Sequence, residues 1–168
     1  IILQFGLVIF LSARITKLSA NAARAAFLAY AVTIGITLSA IFLAYTSTSI
    51  MRVFFITGSM FLIMAIVGYL TKMDLSKFGG ILLMGLVGVI IATIVNIFLQ
   101  SNGLQLAVSY IGVAIFLGLT AYDIQKIKKL YAQFGSAGNL AVLGALSLYL
   151  DFLNLFLFLL RIFGSGRD

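Results

Sequence analysis

The chain has 168 residues, of which 63% are hydrophobic and only 9% are charged, and its formal net charge is +7. A soluble domain carries about 25% charged and about 45–50% apolar residues, so this composition excludes an ordinary water-exposed surface. We therefore predict a polytopic membrane protein whose main partner is the lipid bilayer. In such a protein, loop lysines and arginines set the topology against anionic lipid, and no nucleic-acid partner is expected.

Several residue types are missing, and their absence excludes several kinds of chemistry. Without Cys there is no disulfide and no thiolate nucleophile or metal ligand, and without His there is no imidazole base and no usual zinc site. The chain also lacks Glu, so its only acidic side chains are Asp74, Asp123, Asp151 and Asp168. We expect no resident cofactor and no enzymatic activity.

Apolar segments long enough to cross a bilayer dominate the chain, since a span needs roughly 20 such residues. Residues 1–13 form a partial candidate that opens without Met, so we expect the sequence to begin inside a longer protein. Five full candidates follow: residues 25–45, 53–70, 79–99, 104–122 and 140–163. No linker divides them, so residues 1–168 are expected to form a single transmembrane domain, an all-α bundle of six spans.

The basic residues are distributed unevenly among the connections between spans. The first, third and fifth connections, residues 14–24, 71–78 and 124–139, hold eight Lys and Arg residues, whereas the intervening ones hold one. This asymmetry places the three basic connections in the cytoplasm. Arg161 and Arg167 then fall on the outer side, against the trend.

Two aspartates lie at positions where the membrane makes an ionised side chain energetically unfavourable. Asp151 is about eleven residues into the last span, about 16 Å from its start, and Asp123 closes the fifth span. An ionised carboxylate at membrane depth costs at least about 2–3 kcal/mol, so each is a candidate functional residue. Both fall in the cytoplasmic half, and they can meet if the fifth helix continues past Tyr122.

The last span carries a polar seam. Ser147, Asp151, Asn154 and Phe158 follow the spacing i, i+4, i+7, i+11 and therefore share one helix face. We predict that this helix lies inside the bundle. The seam has two interpretations, a structural hydrogen-bond network between helices or a functional site supported by Ser147, Asn154 and Tyr122.

Two neighbouring carboxylates cannot both ionise cheaply, so such a pair tends to share one proton and to titrate as a coupled unit. Asp123 and Asp151 are therefore the candidate pH sensor and gate in a chain that lacks His. Arg14 is a candidate latch that would neutralise the deprotonated pair, although it could equally reach lipid phosphates. Gln4, Asn96 and Tyr122 either line a polar route or join helices.

Two aspartate-containing stretches resemble the transmembrane Bax inhibitor motif family, which includes Bax inhibitor-1, and its bacterial members most of all. Residues 121–128 read Ala-Tyr-Asp-Ile-Gln-Lys-Ile-Lys. Residues 146–156 read Leu-Ser-Leu-Tyr-Leu-Asp-Phe-Leu-Asn-Leu-Phe, and residues 160–164 read Leu-Arg-Ile-Phe-Gly. Residues 33–39 and 74–80 also fit, so the resemblance covers nearly the whole chain.

The resemblance implies seven transmembrane helices with the last one central, the first of which this chain would lack. It implies a bacterial inner-membrane location and a pH-sensitive calcium leak. The family's hydrogen-bonded aspartate pair, which controls the pore, matches Asp123 and Asp151, and these would contact Ca²⁺ transiently. An acidic residue of some members matches Gln4 here, and a latch arginine of some members lies close to Arg14.

Three functions remain open at this point. The first is a cation leak channel that responds to Ca²⁺ and protons through the aspartate pair. The second is a non-conducting membrane regulator that binds a protease or a stress or cell-death partner. The third is an intramembrane aspartyl protease, which Tyr122-Asp123 resembles. The bulky Leu148-Tyr149-Leu150 before Asp151 disfavours the protease, because the motif of such enzymes has Gly-x-Gly immediately before the aspartate.

Overall fold

The computed structural model describes residue 14 and residues 17–135 and 138–166, and every named element within them is an α-helix. The helices are α1 (Ala20–Leu38), α2 (Ile41–Ala44), α3 (Ser47–Leu70), α4 (Ser76–Leu99), α5 (Asn102–Phe134) and α6 (Gly138–Phe163). Extended pairing in these ranges is limited to one isolated bridge between Tyr45 and Gly166. The predicted all-α class is confirmed.

The described part of the chain contains five helices that could cross a membrane, where the sequence prediction had six spans. The α1–α2 segment (Ala20–Ala44), α3, α4, α5 and α6 are long and apolar enough to span a bilayer, and they match the five full spans of the sequence prediction. The sixth, partial candidate at residues 1–13 lies outside the described residues. The six-span count is therefore corrected to five for the described part of the chain.

Helix α5 extends twelve residues beyond the span limit predicted at Tyr122. Hydropathy ends the apolar segment there, but the sequence from Asp123 to Phe134 holds no Gly or Pro and is rich in Lys, Gln, Leu and Ala, which favour a helix. The helix ends at Gly135, whose φ of 66° lies in the left-handed region that glycine adopts readily. Asp123 therefore lies inside a continuous helix.

The two longest and most buried spans, α5 and α6, form the core of the bundle. They make the most extensive helix–helix contact, α5 also packs on α3 and α4, and α6 also packs on α3 and α1. Gly112 of α5 lies against the Phe158 ring of α6, and Gly144 of α6 lies against Ile127 of α5. Small residues permit this close approach where the hydrophobic effect gives no help.

The outer surface of the bundle is apolar. Large hydrophobic side chains such as Leu43, Met84, Ile97 and Phe98 are exposed, and α4 has only two buried residues along its length. Such a surface would be unstable in water, whereas in a bilayer it faces lipid tails. The exposed faces therefore support the assignment as a membrane protein.

The basic connections gather at one end of the bundle. The start of α6 lies beside the start of α1, where a Cβ on Gly138 would be 2.8 Å from the Ala20 Cβ. The α3–α4 connection contacts the end of α5. At the opposite end, the Thr46 N–H donates to the Ser165 carbonyl at 3.2 Å and the Ser165 N–H donates to Ser49 Oγ at 2.9 Å. We call these the basic end and the distal end; which faces the cytoplasm stays a prediction.

Candidate functional site

The helix that carries Asp123 is held closely by its neighbours. A Cβ added to Gly68 of α3 would collide with the backbone of Ala121, so the α3 and α5 backbones touch there. One residue later, the Tyr122 ring lies on Gly79 of α4, where a Cβ would be 2.9 Å from the ring. These two contacts fix the height and rotation of α5 immediately before Asp123.

A buried glutamine fastens the next turn of α5 to the α3–α4 connection. Gln125 is 7% exposed, its Oε1 accepts from the Leu75 N–H at 2.8 Å, and its Nε2 donates to the Met73 carbonyl at 2.8 Å. Both backbone groups belong to the α3–α4 connection, so they have no partner in the hydrogen-bond pattern of a regular helix. We call these two hydrogen bonds the Gln125 clamp.

Replacing Gln125 with Ala should destabilise the protein by about 1–3 kcal/mol, because the Leu75 N–H and the Met73 carbonyl lose their partners. The measurement is reversible unfolding in detergent micelles. Gln133→Ala is the matched control, since Gln133 is exposed on the same helix, and it should change stability by less than about 0.5 kcal/mol. Equal effects of the two substitutions would contradict a role for the clamp.

Charged contacts outside the membrane-spanning part reinforce this junction. Lys129 Nζ lies 2.5 Å from Asp74 Oδ1 and 3.1 Å from Ser76 Oγ, and Lys128 Nζ donates to the Tyr69 carbonyl at 2.9 Å. The Lys129 hydrogen bond, aided by Ser76, lowers the pKa of Asp74 from its ordinary 3.8 to about 2. Asp74 is exposed, so solvent screens this ion pair.

The lowered pKa of Asp74 gives its contribution to stability a defined pH range. Because the folded pKa lies below 3.8, the ionised carboxylate stabilises the folded state above pH 3.8, and this contribution is lost as the pH falls to about 2. We expect Asp74→Asn to be slightly less stable than wild type at neutral pH and as stable as wild type at a pH of about 2. Thermal unfolding across this range checks it, and a difference that persists at the lower limit would contradict the ion pair as its cause.

Asp151 is buried in the middle of α6. Its side chain is 5% exposed, and its Oδ2 atom is the one buried side-chain nitrogen or oxygen in the described ranges that lacks a hydrogen-bond partner. Buried polar groups in native proteins are nearly always paired, so an orphaned carboxylate oxygen calls for an explanation. A proton, a water or a cation would each supply the missing partner.

Asp123 and Asp151 face each other across the α5–α6 contact. The two carboxylates interact electrostatically, and Ser147, one turn before Asp151, also interacts with the half-buried Asp123. Lys126 also acts on Asp123 from one turn along α5. These interactions link both aspartates and Ser147, and their role as a site stays a prediction.

The other candidate residues lie differently. The Asn154 amide donates one N–H to the Leu150 carbonyl of its own helix at 2.8 Å. The Tyr122 ring packs on Gly79 and lies 5.9 Å from the Lys126 ammonium. Arg14 is exposed, and no ion pair in the described residues joins it to either aspartate. Its latch role stays a prediction.

Gln125 is the functional neighbour that sequence reasoning missed. It stood inside the stretch that carries the resemblance, but its side chain was assigned no role. A signal existed, because an uncharged amide two residues after Asp123 breaks the lysine-rich pattern that follows. Its partners lie about fifty positions away in sequence, and spacing alone does not predict them.

The described residues contain no cluster of the side chains that most often hold a resident metal ion. Within the described residues, His, Cys, Asp and Glu nowhere form a group of three or more that could hold one. Calcium in a dedicated protein site takes six to eight oxygens. The pair Asp123 and Asp151 supplies two carboxylates, which suits brief contact with a passing cation better than storage of one.

Fold and site together define a polytopic helical membrane protein with a carboxylate pair between its two core helices. The family described as "Inhibitor of apoptosis-promoting Bax1" matches the chain over residues 1–168, and the chain belongs to this family. The family resemblance of the aspartate-containing stretches is thereby confirmed.

Bacterial relatives agree with this assignment. The chain is 52% identical to the inner membrane protein YbhL of Escherichia coli K12 over 172 residues, covering 99% of the chain and 74% of that protein. An uncharacterized Borreliella burgdorferi protein is 48% identical with 100% and 74% coverage, and one from Rickettsia prowazekii is 45% identical with 90% and 66% coverage. The protein is an integral protein of the bacterial inner membrane.

Proposed function

We propose that the protein is a pH-sensitive calcium leak channel, or more broadly a cation leak channel, gated by the Asp123–Asp151 pair. The observation that carries the proposal is the buried, unpartnered Oδ2 of Asp151, in a carboxylate that interacts with a second carboxylate on the adjacent core helix. Interior ionisable residues of membrane proteins mark ion pathways and proton relays.

In the closed state, one proton is shared by the pair. A protonated carboxyl is a donor, so the shared proton gives Asp151 Oδ2 the partner that it lacks and joins α6 to α5. Ser147 adds a second interaction between the same helices through Asp123. Closure thus needs one proton on the pair.

In the open state, both carboxylates are ionised. Two unit charges about 4 Å apart repel by about 4 kcal/mol at an effective dielectric constant of 20, which is comparable with the packing energy of one large side chain. Lys126 acts on Asp123 alone, so it offsets this repulsion only in part. The ionised pair also attracts cations, and carboxylate oxygens suit Ca²⁺.

The contacts around the pair suggest which helix moves. α5 is fixed next to Asp123 by the Gly68–Ala121 contact and by the Gln125 clamp. The basic-end half of α6 contacts its neighbours through side chains, with Gly144 on Ile127, Gly138 on Ala20 and the Tyr149 ring against Phe27. Separation is therefore expected to displace this half of α6 away from α5.

The test is calcium entry into liposomes that contain only this protein, expressed from its complete gene, at mildly acidic and mildly alkaline pH. We expect leakage that increases on alkalinisation and that is absent from protein-free liposomes. Absence of flux at every pH would contradict the channel and favour the non-conducting regulator. Cleavage of a membrane-inserted peptide without flux would contradict it in favour of the protease.

A further inference from the structure

A second polar region lies at the distal end of the bundle, far from the aspartate pair. It is a cavity of about 480 Å³ between the end of α4, the start of α5 and the end of α6. Its lining includes Asn96, Gln100, Asn102, Gln105 and Arg161. The whole chain has five Asn and five Gln, so four of its ten amide side chains line this one cavity.

Most of these side-chain amides form no hydrogen bond within the described part of the chain. Asn96 Oδ1 accepts from the Ser101 N–H at 3.0 Å, which shapes the α4–α5 turn. The side-chain amides of Gln100, Asn102 and Gln105 form no hydrogen bond to any described residue, and all three are exposed. The side-chain N–H groups of Gln100, Asn102 and Gln105 therefore line the cavity without a hydrogen-bond partner among the described residues.

Arg161 adds a positive charge to the lining of the cavity. The Arg161 guanidinium is exposed and lies 5.5 Å from the Phe158 ring centre, and no carboxylate in the described part of the chain pairs with it. The described aspartates are elsewhere: Asp74 is at the basic end, and Asp123 and Asp151 face each other between α5 and α6. One cation among amide donors favours an anion with several acceptor oxygens.

The position of the cavity indicates the chemical class of that anion. Arg161 is two residues before the end of α6 and Asn102 opens α5, so the cavity lies where the spans leave the hydrocarbon layer. Phosphate groups of lipids occupy this depth, and the planar guanidinium matches phosphate oxygens in a bidentate manner. A volume of about 480 Å³ also falls within the usual range of ligand sites.

We propose that the distal cavity binds a phosphate ester, either the headgroup of a phospholipid or a small soluble ester. Arg161 holds the phosphate oxygens, and the amides of Asn102 and Gln105 donate to the remaining oxygens. This site does not depend on the proposed channel function, because it lies at the other end of the bundle from Asp123 and Asp151.

The experiment is native mass spectrometry of the protein from its complete gene, released from a neutral detergent. The probes are phosphatidylglycerol, a diacylglycerol with the same chains but no phosphate, and glycerol phosphate as the soluble ester. Arg161→Gln should weaken phosphate-ester binding about tenfold or more, the scale of a lost charge-assisted pair. Arg52→Gln is the matched control, since Arg52 is an exposed arginine near the distal end of α3 that does not line the cavity.

The outcomes separate the sources of the phosphate. Retention of phosphatidylglycerol but not diacylglycerol, sensitive to Arg161 and not to Arg52, supports a lipid headgroup; glycerol phosphate with the same sensitivity supports a soluble ester. Equal losses in both arginine variants, or equal retention of diacylglycerol, would overturn the site. If Arg161→Gln does not fold, Gln105→Leu replaces it: selective loss of phosphate-ester binding supports the site, and unchanged binding overturns it.

Discussion

Asp151→Asn should abolish most of the pH dependence of calcium leakage, and Asp123→Asn should have nearly the same effect. Asn keeps a hydrogen-bonding side chain of the same size but cannot ionise, so deprotonation no longer places two negative charges between α5 and α6. The two residues titrate as one unit, which makes either of them sufficient to remove the response. The measurement is calcium entry into liposomes across neutral pH.

The double variant makes this prediction sharper. Once one carboxylate is gone, replacing the second should remove little further pH response, so the two effects should be strongly non-additive. Asp74→Asn is the matched control, because it makes the same chemical change at the exposed ion pair with Lys129 and should leave the pH response intact. An unchanged response in both single variants would leave Asp123 and Asp151 as a structural network.

Gly68→Ala should cause the largest loss of stability among single glycine substitutions in the described helices. The added Cβ would collide with the Ala121 backbone, which cannot rotate away as a side chain can. Overpacking of a well-packed interior costs about 1–3 kcal/mol and occasionally more, and a backbone collision belongs at the upper end. Thermal unfolding in detergent measures the loss.

Gly58→Ala and Gly88→Ala are the controls for this prediction. A Cβ at either position meets nothing within 4 Å, and replacing Gly by Ala inside a helix stabilises it by roughly 0.5–1 kcal/mol. These two variants should therefore match or exceed wild type. A Gly68→Ala protein as stable as the controls would show that α3 and α5 do not cross where the structure places them.

The spans were predictable because hydropathy reports directly on the lipid environment. Residues 53–70 and 79–99 agree with α3 and α4 within a few positions, apart from helix starts such as Ser47, which lies outside the apolar segment. Hydropathy failed at the end of α5, since charged residues ended the predicted span while helix propensity continued the helix to Phe134. Helix limits and membrane limits are different physical quantities.

Parts of the site were predictable and parts were not. Helical spacing places Ser147 and Asp151 on one helix face, and the loop charges place Asp123 and Asp151 in the same half of the membrane; the pairing itself stays a prediction. The same spacing left open whether Asn154 joins neighbouring helices or supports a site, and the structure shows one of its amide N–H groups donating to its own helix. Gln125 depends on a loop about fifty residues away, and such a pairing arises only from the tertiary fold.

The distal cavity shows the same limit. Arg161 was noticed only as an exception to the charge asymmetry, and Asn96 only as a candidate for a polar route. Gln100 and Asn102 lie at a short connection, a pattern typical of any turn, and Gln105 follows in the first turn of α5. Their meeting with Arg161 requires the end of α6 to lie against this turn, which the α5–α6 packing provides.

The central claim is that deprotonation of the aspartate pair separates α5 from α6, and a distance between the two helices tests it most directly. These 168 residues contain no Cys, so spin labels can be placed at single cysteines replacing the exposed Gln133 of α5 and Ala145 of α6. On going from mildly acidic to mildly alkaline pH, the label distance should increase in the protein with Asp123 and Asp151, and it should stay constant in the Asp123→Asn, Asp151→Asn double variant. A constant distance in the first protein, or an equal increase in both, would contradict the gate.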